Sequence, residues 1–245
     1  MNRYTALATS YDGLMADGDY ARRAAFLAQE LHKSTIPVHT VLDLACGTGT
    51  IACLLAREGF QVTATDLSVD MLAQAAKKAE DLENPPLFVH QAMNRLRLSW
   101  PVDGVVCTLD ALNYITRERD LAEIFERVRK WLKPGGRFLF DLNTPYKLRR
   151  MDGQIYSDET ENTFCIWRTF FSGKTEICTY QVDLFQQQAN GLWRRGAEEH
   201  RERAWQEETI RDLLEKAGFK HVRLWGDLKR QRPRPEEDRW QFTAY

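Results

Sequence analysis

The chain has 245 residues, 43% of them hydrophobic, and a formal net charge of −1, enough for one large domain with a real core or for one domain plus an insertion. The near-neutral balance supplies no basic field for a nucleic-acid partner. There is no apolar run long enough to span a bilayer, and Met1 to Ser10 lack a signal-peptide core, so a cytoplasmic location is expected. The 5 cysteines include no Cys-x-x-Cys pair, so neither a zinc site nor a disulfide framework is expected, and no metal.

Helix and strand patterns alternate through the first two-thirds of the chain. Asp19 is placed to cap a helix from Tyr20 to about Lys33, with Tyr20, Ala24, Leu27 and Leu31 as its apolar stripe. Val38 to Ala45 reads as a buried strand. A glycine turn and a helix to about Glu58 follow, stopped by Gly59. Gln61 to Asp66 is a second strand, and Ser68 can cap the next helix. Leu87 to His90 and Gly104 to Leu109 are further strands. A helix from about Glu118 to Leu132 ends at Pro134-Gly135-Gly136, and Arg137 to Asp141 is a fifth strand. Such alternation predicts a parallel sheet with helices on both faces.

From Thr163 to Trp205 the pattern changes to three antiparallel strands, with turns at Ser172-Gly173-Lys174 and Asn190-Gly191. The core then resumes with a helix around Glu207 to Ala217 and strands at His221 to Trp225 and Arg239 to Tyr245. Between those strands, Lys229 to Asp238 reads as a solvated loop. The expected organisation is a core of residues 1–150 and 206–245 with a small β insertion over 151–205. The insertion offers a surface for a homodimer, because exposed aromatic strands often form interfaces.

The sharpest motif is Val41-Leu42-Asp43-Leu44-Ala45-Cys46-Gly47-Thr48-Gly49-Thr50. A buried strand ends in an acid, and two glycines turn the chain into a helix whose free N–H groups face a ligand. Asp66, at the end of the next strand, can accept hydrogen bonds from two ribose hydroxyls. Gly47-x-Gly49-x-x-Ala52 with Asp66 also fits a dinucleotide fingerprint. Asp43 weighs against a dinucleotide, since a carboxylate there would repel a pyrophosphate but attract an amino group.

Together with Asp66-Leu67-Ser68, Asp103-Gly-Val-Val and Leu132-Lys-Pro-Gly-Gly136, this motif resembles the class I methyltransferases that use S-adenosylmethionine (SAM). The resemblance implies a Rossmann-like, doubly wound seven-stranded α/β sheet whose last strand is antiparallel and lies between the fifth and sixth. It implies SAM as cofactor and S-adenosylhomocysteine as product. Asp43, Ala45, Gly47 and Gly49 would surround the methionine and sulfonium part, Asp66 and Leu67 the ribose and adenine, Ala92 and Met93 the adenine, and Leu109 the sulfonium. One departure is Ala92, which stands where many members carry an acid for the adenine amino group; the Met93 backbone, Gln91 or Asn94 can serve instead.

Methyl transfer needs alignment, exclusion of water and sometimes a base. The segment Tyr4-x-x-Leu-x-x-x-Tyr11-Asp12 resembles the N-terminal lid of small-molecule members, with Tyr11 as a catalytic candidate facing the sulfonium. After the fourth strand, Asp110, Asn113 and Tyr114 are candidate substrate contacts, though Asp110 and Asn113 equally suit capping of the following turn. That loop lacks the tetrapeptides of DNA-methylating enzymes, which favours a small-molecule acceptor methylated on N or O. His200 shares a strand face with Glu198 and Glu202, which favour its charged form. With the insertion expected to roof the substrate crevice, His200 is a catalytic candidate expected to orient the acceptor, with proton removal second, and Arg203, on the other face, is a candidate substrate contact; solvent exposure is the simpler expectation for most of this charged strand. Competing expectations are a nicotinamide-dependent oxidoreductase and a catalytically silent SAM-binding module.

Overall fold

The computed structural model describes residues 7–15 and 18–245. Its core is a seven-stranded sheet built from β1 (Thr40–Leu44), β2 (Gln61–Asp66), β3 (Leu87–His90), β4 (Val102–Cys107), β5 (Leu132–Asn143), β10 (Val222–Gly226) and β11 (Arg239–Ala244). The strand order is β10-β11-β5-β4-β1-β2-β3, with β11 antiparallel to both its neighbours. The helices are α1 (Tyr11–Leu14), α2 (Tyr20–Leu31), α3 (Thr50–Arg57), α4 (Val69–Lys78), α5 (Glu118–Trp131), α6 (Pro145–Arg150) and α7 (Glu207–Lys216). The parallel strands and flanking helices are what the alternation predicts, and the antiparallel strand lies where the resemblance implies.

The period of two along each strand divides the core into two layers. Leu42 and Leu44 of β1 and Phe138, Phe140 and Leu142 of β5 meet α5 and α7 on one face. Val41 and Leu139 meet α2 and α3 on the other. Asp43 and Asp141 point to this second face, so both acids are carried inward by strands whose other positions are apolar. Helix α5 fixes the first layer by burying Leu121, Ile124, Phe125 and Val128 completely, each worth about 1.5–3 kcal/mol of apolar burial.

Local signals behave unevenly. Ser68 caps α4 by accepting from the Met71 N–H at 3.3 Å. Asp19 does not cap α2: it sits in a left-handed conformation and binds Arg22 instead, and the helix ends at Leu31 rather than Lys33. The loop 229–238 is irregular, as expected, yet it is pinned. Arg230 donates to Glu30 at 2.8 Å and Asp227, just before it, accepts from Arg23 at 3.0 Å.

The insertion is a four-stranded antiparallel sheet, β6 (Ile155–Thr160), β7 (Thr163–Ser172), β8 (Ile177–Gln187) and β9 (Trp193–Arg203). It has one strand more than the three that the sequence predicts, because β6 is exposed at every position and carries no apolar alternation. It pairs as an edge strand through its backbone ladder with β7. The inner face of this sheet, with Cys165, Cys178, Tyr180, Val182 and Leu184, packs with Leu7 and Leu148 into a third core. Among its outer residues, Ile155, Phe170 and Trp193 are exposed. No described helix is long and apolar enough to cross a membrane. The described cysteines are all free thiols.

Candidate active site

The carboxyl ends of β1, β2 and β4 open into a cavity of about 630 Å³. It is lined by Asp43, Ala45, Cys46, Gly47 and Thr48 from the first strand and its turn, and by Asp66 and Leu67 from the second. Gln91, Ala92, Met93 and Asn94 line one side, and Leu109, Ala111 and Tyr114 another. Tyr11 and Tyr20 close it from the N-terminal segment. The residues for which the resemblance implies cofactor contacts therefore converge on one space, with one exception.

The exception is Gly49. Gly47 has φ +55°, and a Cβ added there would meet nothing within 4 Å, so it leaves its side of the turn open to the cavity. Gly49 has φ +72°, and a Cβ there would lie 2.8 Å from Ala75 and 3.0 Å from Phe88. The second glycine lets α3 pack on α4 and does not itself line the cavity.

Asp43 is 1% exposed, and its Oδ2 has no hydrogen-bond partner. Burial first, and the nearby Asp66 carboxylate second, push Asp43 up to about 7, while the Ala52 N–H works the other way. Asp66 accepts from the Gly47 N–H at 2.9 Å and the Ser68 N–H at 2.8 Å. Burial still lifts it above the usual carboxylate range against those bonds. Neither acid is within ion-pair distance of a described cation. A buried, unpaired carboxyl facing an open cavity is costly unless a ligand supplies the charge. The cavity therefore suits a cationic ligand with a donor at Asp43 and repels a pyrophosphate.

The adenine side matches the departure noted at Ala92. Gln91 is committed to its own loop, accepting from the Arg97 N–H at 2.6 Å and donating to the Arg97 carbonyl at 3.3 Å. Asn94 lines the cavity and remains the side-chain amide on that side.

The lid candidate is anchored to the glycine turn. Thr48 Oγ1 donates to Asp12 Oδ1 at 2.6 Å, and Lys78 Nζ pairs with Asp12 Oδ2 at 2.7 Å. Lys78 also donates to Thr48 and Thr50. The neighbouring Tyr11 is thus held over the cavity, and burial pushes its phenol well above its ordinary value. Tyr4, the other aromatic of the lid motif, lies outside the described residues. Breaking the latch by Lys78→Met is expected to speed release of a bound cofactor by about two- to fivefold, the scale of a half-exposed ion pair. The double variant Asp12→Lys/Lys78→Asp should recover part of that loss; stopped-flow release of S-adenosylhomocysteine reads both, and identical rates in all three proteins would rule the latch out.

The loop after β4 is strained and heavily supported. Leu109 and Asp110 both adopt positive φ, 58° and 56°, a conformation costly for residues with a side chain. Asp141 holds them there by accepting the Leu109 N–H at 2.9 Å and the Asp110 N–H at 2.8 Å. The same carboxylate, fully buried, pairs with Arg239 and with Arg23 at 3.3 Å. Arg239 also reaches Asp110 at 2.6 Å, and Arg23 reaches Asp227 at 3.0 Å. Sequence reasoning missed this network.

The substrate candidates divide. Tyr114 lines the cavity. Asp110 is not among the cavity's lining residues and is bound to Arg239 at 2.6 Å. Asn113 is fully buried and spends its amide on backbone: it donates to the Asn143 and Arg203 carbonyls, both at 3.0 Å, and accepts from the Asn143 N–H at 2.9 Å. Arg203 donates to the Thr116 carbonyl at 3.0 Å and lies over the Trp205 ring. Neither Asn113 nor Arg203 lines the cavity; they tie the insertion to the core. His200 is 1% exposed, pairs with Glu198 at 3.1 Å and packs edge-on against Tyr114 at 5.9 Å. The strand is charged, but this face of it turns inward, contrary to the simpler expectation of solvent exposure, while Glu199 and Arg201 do face solvent.

Residues 41–136 match a family described as a methyltransferase domain. The Bacillus subtilis protein YqeM, whose name assigns it to the methyltransferases, is 31% identical over 243 residues, spanning 98% of this chain and 96% of its own. A crystal structure of a SAM-dependent methyltransferase from Clostridium acetobutylicum superposes with a TM-score of 0.88 at 28% identity, covering 99% of this chain and 98% of that one. A Streptomyces venezuelae dTDP-3-amino-3,4,6-trideoxy-α-D-glucopyranose N,N-dimethyltransferase is 30% identical over 119 residues, 48% of each chain. With the fold, the glycine turn and these relatives in hand, the chain belongs to the class I SAM-dependent methyltransferases. Its cofactor is SAM, which sets aside the nicotinamide alternative.

Proposed function

We propose that the protein transfers the methyl group of SAM to N or O of a small molecule. The observation that carries this reading is the buried, unpartnered Asp43 Oδ2 facing the cavity, which suits the amino group of the methionine part. In this reading Asp66 takes the ribose hydroxyls, and Leu67, Ala92, Met93 and Asn94 surround the adenine. SAM supplies an electrophilic methyl group on a cationic sulfur.

The chain's own contribution is placement and exclusion of water. Tyr11 covers the sulfonium side, and Leu109 holds the other flank in the conformation that Asp141 enforces. Tyr114 borders the acceptor's space, and His200 acts behind it as a positioning residue. The small-molecule acceptor is supported by the Streptomyces venezuelae relative, which by its name acts on an amino sugar nucleotide.

Calorimetry with SAM, S-adenosylhomocysteine, NAD and NADP tests the cofactor side, and a panel of amines, amino sugars and phenols with methyl-labelled SAM tests the acceptor side. Stoichiometric SAM binding with label transfer to one class supports the reading. SAM binding without transfer to any of them favours the silent module. In an active assay, His200→Ala should lower kcat/KM for the acceptor by roughly tenfold or more while leaving SAM affinity unchanged; an unchanged kcat/KM removes His200 from the acceptor side.

A further inference from the structure

The SAM cavity runs on past the residues described above. Beyond Met93 and Asn94 its wall continues through Ile115, Arg117, Asp120 and Ile124. Helix α5 brings this wall to the adenine side because it packs along residues 93–96. Leu96 is buried in one core with Leu121 and Ile124, and Met93 packs against the same core. Farther along the helix, the Trp131 indole N–H donates to the Leu96 carbonyl at 3.2 Å. Asp120 lies in the first turn of α5, four residues before Ile124 and therefore on the same helix face. Both residues line the cavity.

Two side chains here have hydrogen-bonding capacity to spare. Neither the Asn94 amide nor the Asp120 carboxylate forms a hydrogen bond with a described residue. The half-buried Asp120 has Arg119 Nε at 3.6 Å, but that arginine is 87% exposed, so water screens the pair. The other polar groups nearby are committed or absent. Gln91 is bound to Arg97, Ala92 has no side-chain oxygen, and Arg117 faces solvent. Asp43 and Asp66 stand at the methionine and ribose ends. That leaves Asp120 as the one carboxylate of the described lining beside the adenine.

We infer that Asp120 recognises the amino group of the cofactor's adenine, with the Asn94 amide donating to a ring nitrogen beside it, so that the site selects an amino base over an oxo base. This rests on the placement of adenine given above, between Met93 and the loop after β4. The chemistry of the pair fits the base. Adenine's edge carries an amino donor next to ring-nitrogen acceptors, an ionised carboxylate only accepts, and an amide supplies the donor. An oxo base turns an oxygen toward Asp120 instead. It loses the hydrogen bond and sets two acceptors against each other, and such unpaired contacts are what reject a near-identical ligand.

Calorimetry with S-adenosylhomocysteine and with S-inosylhomocysteine, in which oxygen replaces the amino group, tests this. The wild type should prefer S-adenosylhomocysteine by roughly tenfold or more. Asp120→Asn can turn a donor toward the base, so it should weaken S-adenosylhomocysteine and strengthen S-inosylhomocysteine, lowering the preference about tenfold. Asp120→Ala should lower the preference without strengthening the oxo ligand. Glu118→Gln removes an acid from the same helical turn at a residue that does not line the cavity, and should leave both affinities within about twofold. A wild type that binds S-adenosylhomocysteine without a preference overturns this inference alone. So does a preference that Asp120→Asn leaves unchanged, or one that Glu118→Gln lowers equally. A wild type that does not bind S-adenosylhomocysteine overturns the methyltransferase reading itself.

Discussion

Asp43→Asn is expected to abolish measurable SAM binding and, at pH 8, to make the ligand-free protein more resistant to heat. Both effects come from one buried carboxyl. In the folded chain burial and Asp66 raise it to about 7 from an ordinary 3.8. A folded state that holds a proton more tightly than the unfolded chain loses stability as pH rises between those values. Below about pH 4 the group costs nothing; by pH 8 the whole penalty is present. Each pKa unit is worth about 1.36 kcal/mol, so the cost is on the order of 4 kcal/mol. The neutral isostere removes most of it, and a chain of this size should gain roughly 2–4 °C in Tm per kcal/mol recovered.

Binding runs in the opposite sense. The cofactor's ammonium needs the ionised form, so wild-type affinity should be level above pH 7 and fall by up to about tenfold per unit below it. Losing one partner of such a buried pair costs roughly 3–5 kcal/mol. Calorimetry at pH 6 and pH 8, with scanning calorimetry of the ligand-free proteins, measures all of this. An Asn variant that binds SAM within tenfold of the wild type, or that melts lower at pH 8, contradicts it.

Asp141→Asn should be the most damaging single polar substitution on the sheet, with a loss of about 3–5 kcal/mol in a urea titration. Burial alone would raise this carboxyl. Arg239, Arg23 and the Asp110 and Leu109 N–H groups reverse that and hold it below the usual carboxylate range. A carboxyl lowered on folding stabilises the fold above its unfolded pKa, and that stability drains away as pH falls through its folded value. The wild type should therefore show a stability slope in acid that the Asn variant lacks. Asn keeps the shape but leaves two buried guanidinium groups short of charge and offers one acceptor oxygen where two served. The Leu109–Asp110 conformation should relax, so the folded fraction should also bind SAM more weakly. Unchanged urea midpoints would show that the network contributes nothing net.

The cofactor half of the site is legible in the sequence because its signals are local. Asp43 and Gly47 lie four residues apart on a strand–turn–helix unit whose shape dictates their roles, and Asp66 is reached by one more strand. The acid network is not legible. Arg23 and Asp227 are separated by 204 residues and Arg23 and Asp141 by 118, and nothing near any of them in the chain distinguishes them from surface charges. Glu202 shows the same limit. Alternation correctly places it with Glu198 and His200 on one face of β9, but which face turns inward is decided by how the insertion seats on the end of β5. For Asn113, the two roles that the sequence leaves open are both replaced by a third, bridging two backbones brought together only in the folded chain.

That bridge makes the insertion a cassette with defined ends. The chain leaves the core at Asn143 and returns at Arg203, and one amide, that of Asn113, fastens both crossings from the loop after β4. Leu7 and Ser10 of the N-terminal segment also hold the sheet between those crossings, through the core around Cys165 and Leu184 and the Thr163 hydroxyl, while the described lining of the SAM cavity comes wholly from residues outside it. A graft that keeps Asn113, Asn143, the backbone at Arg203 and a sheet face that fits Leu7 and Ser10 can therefore exchange the 59 intervening residues for those of another family member while leaving the cofactor's walls in place, and any change of acceptor in such a chimera would be inherited with the cassette.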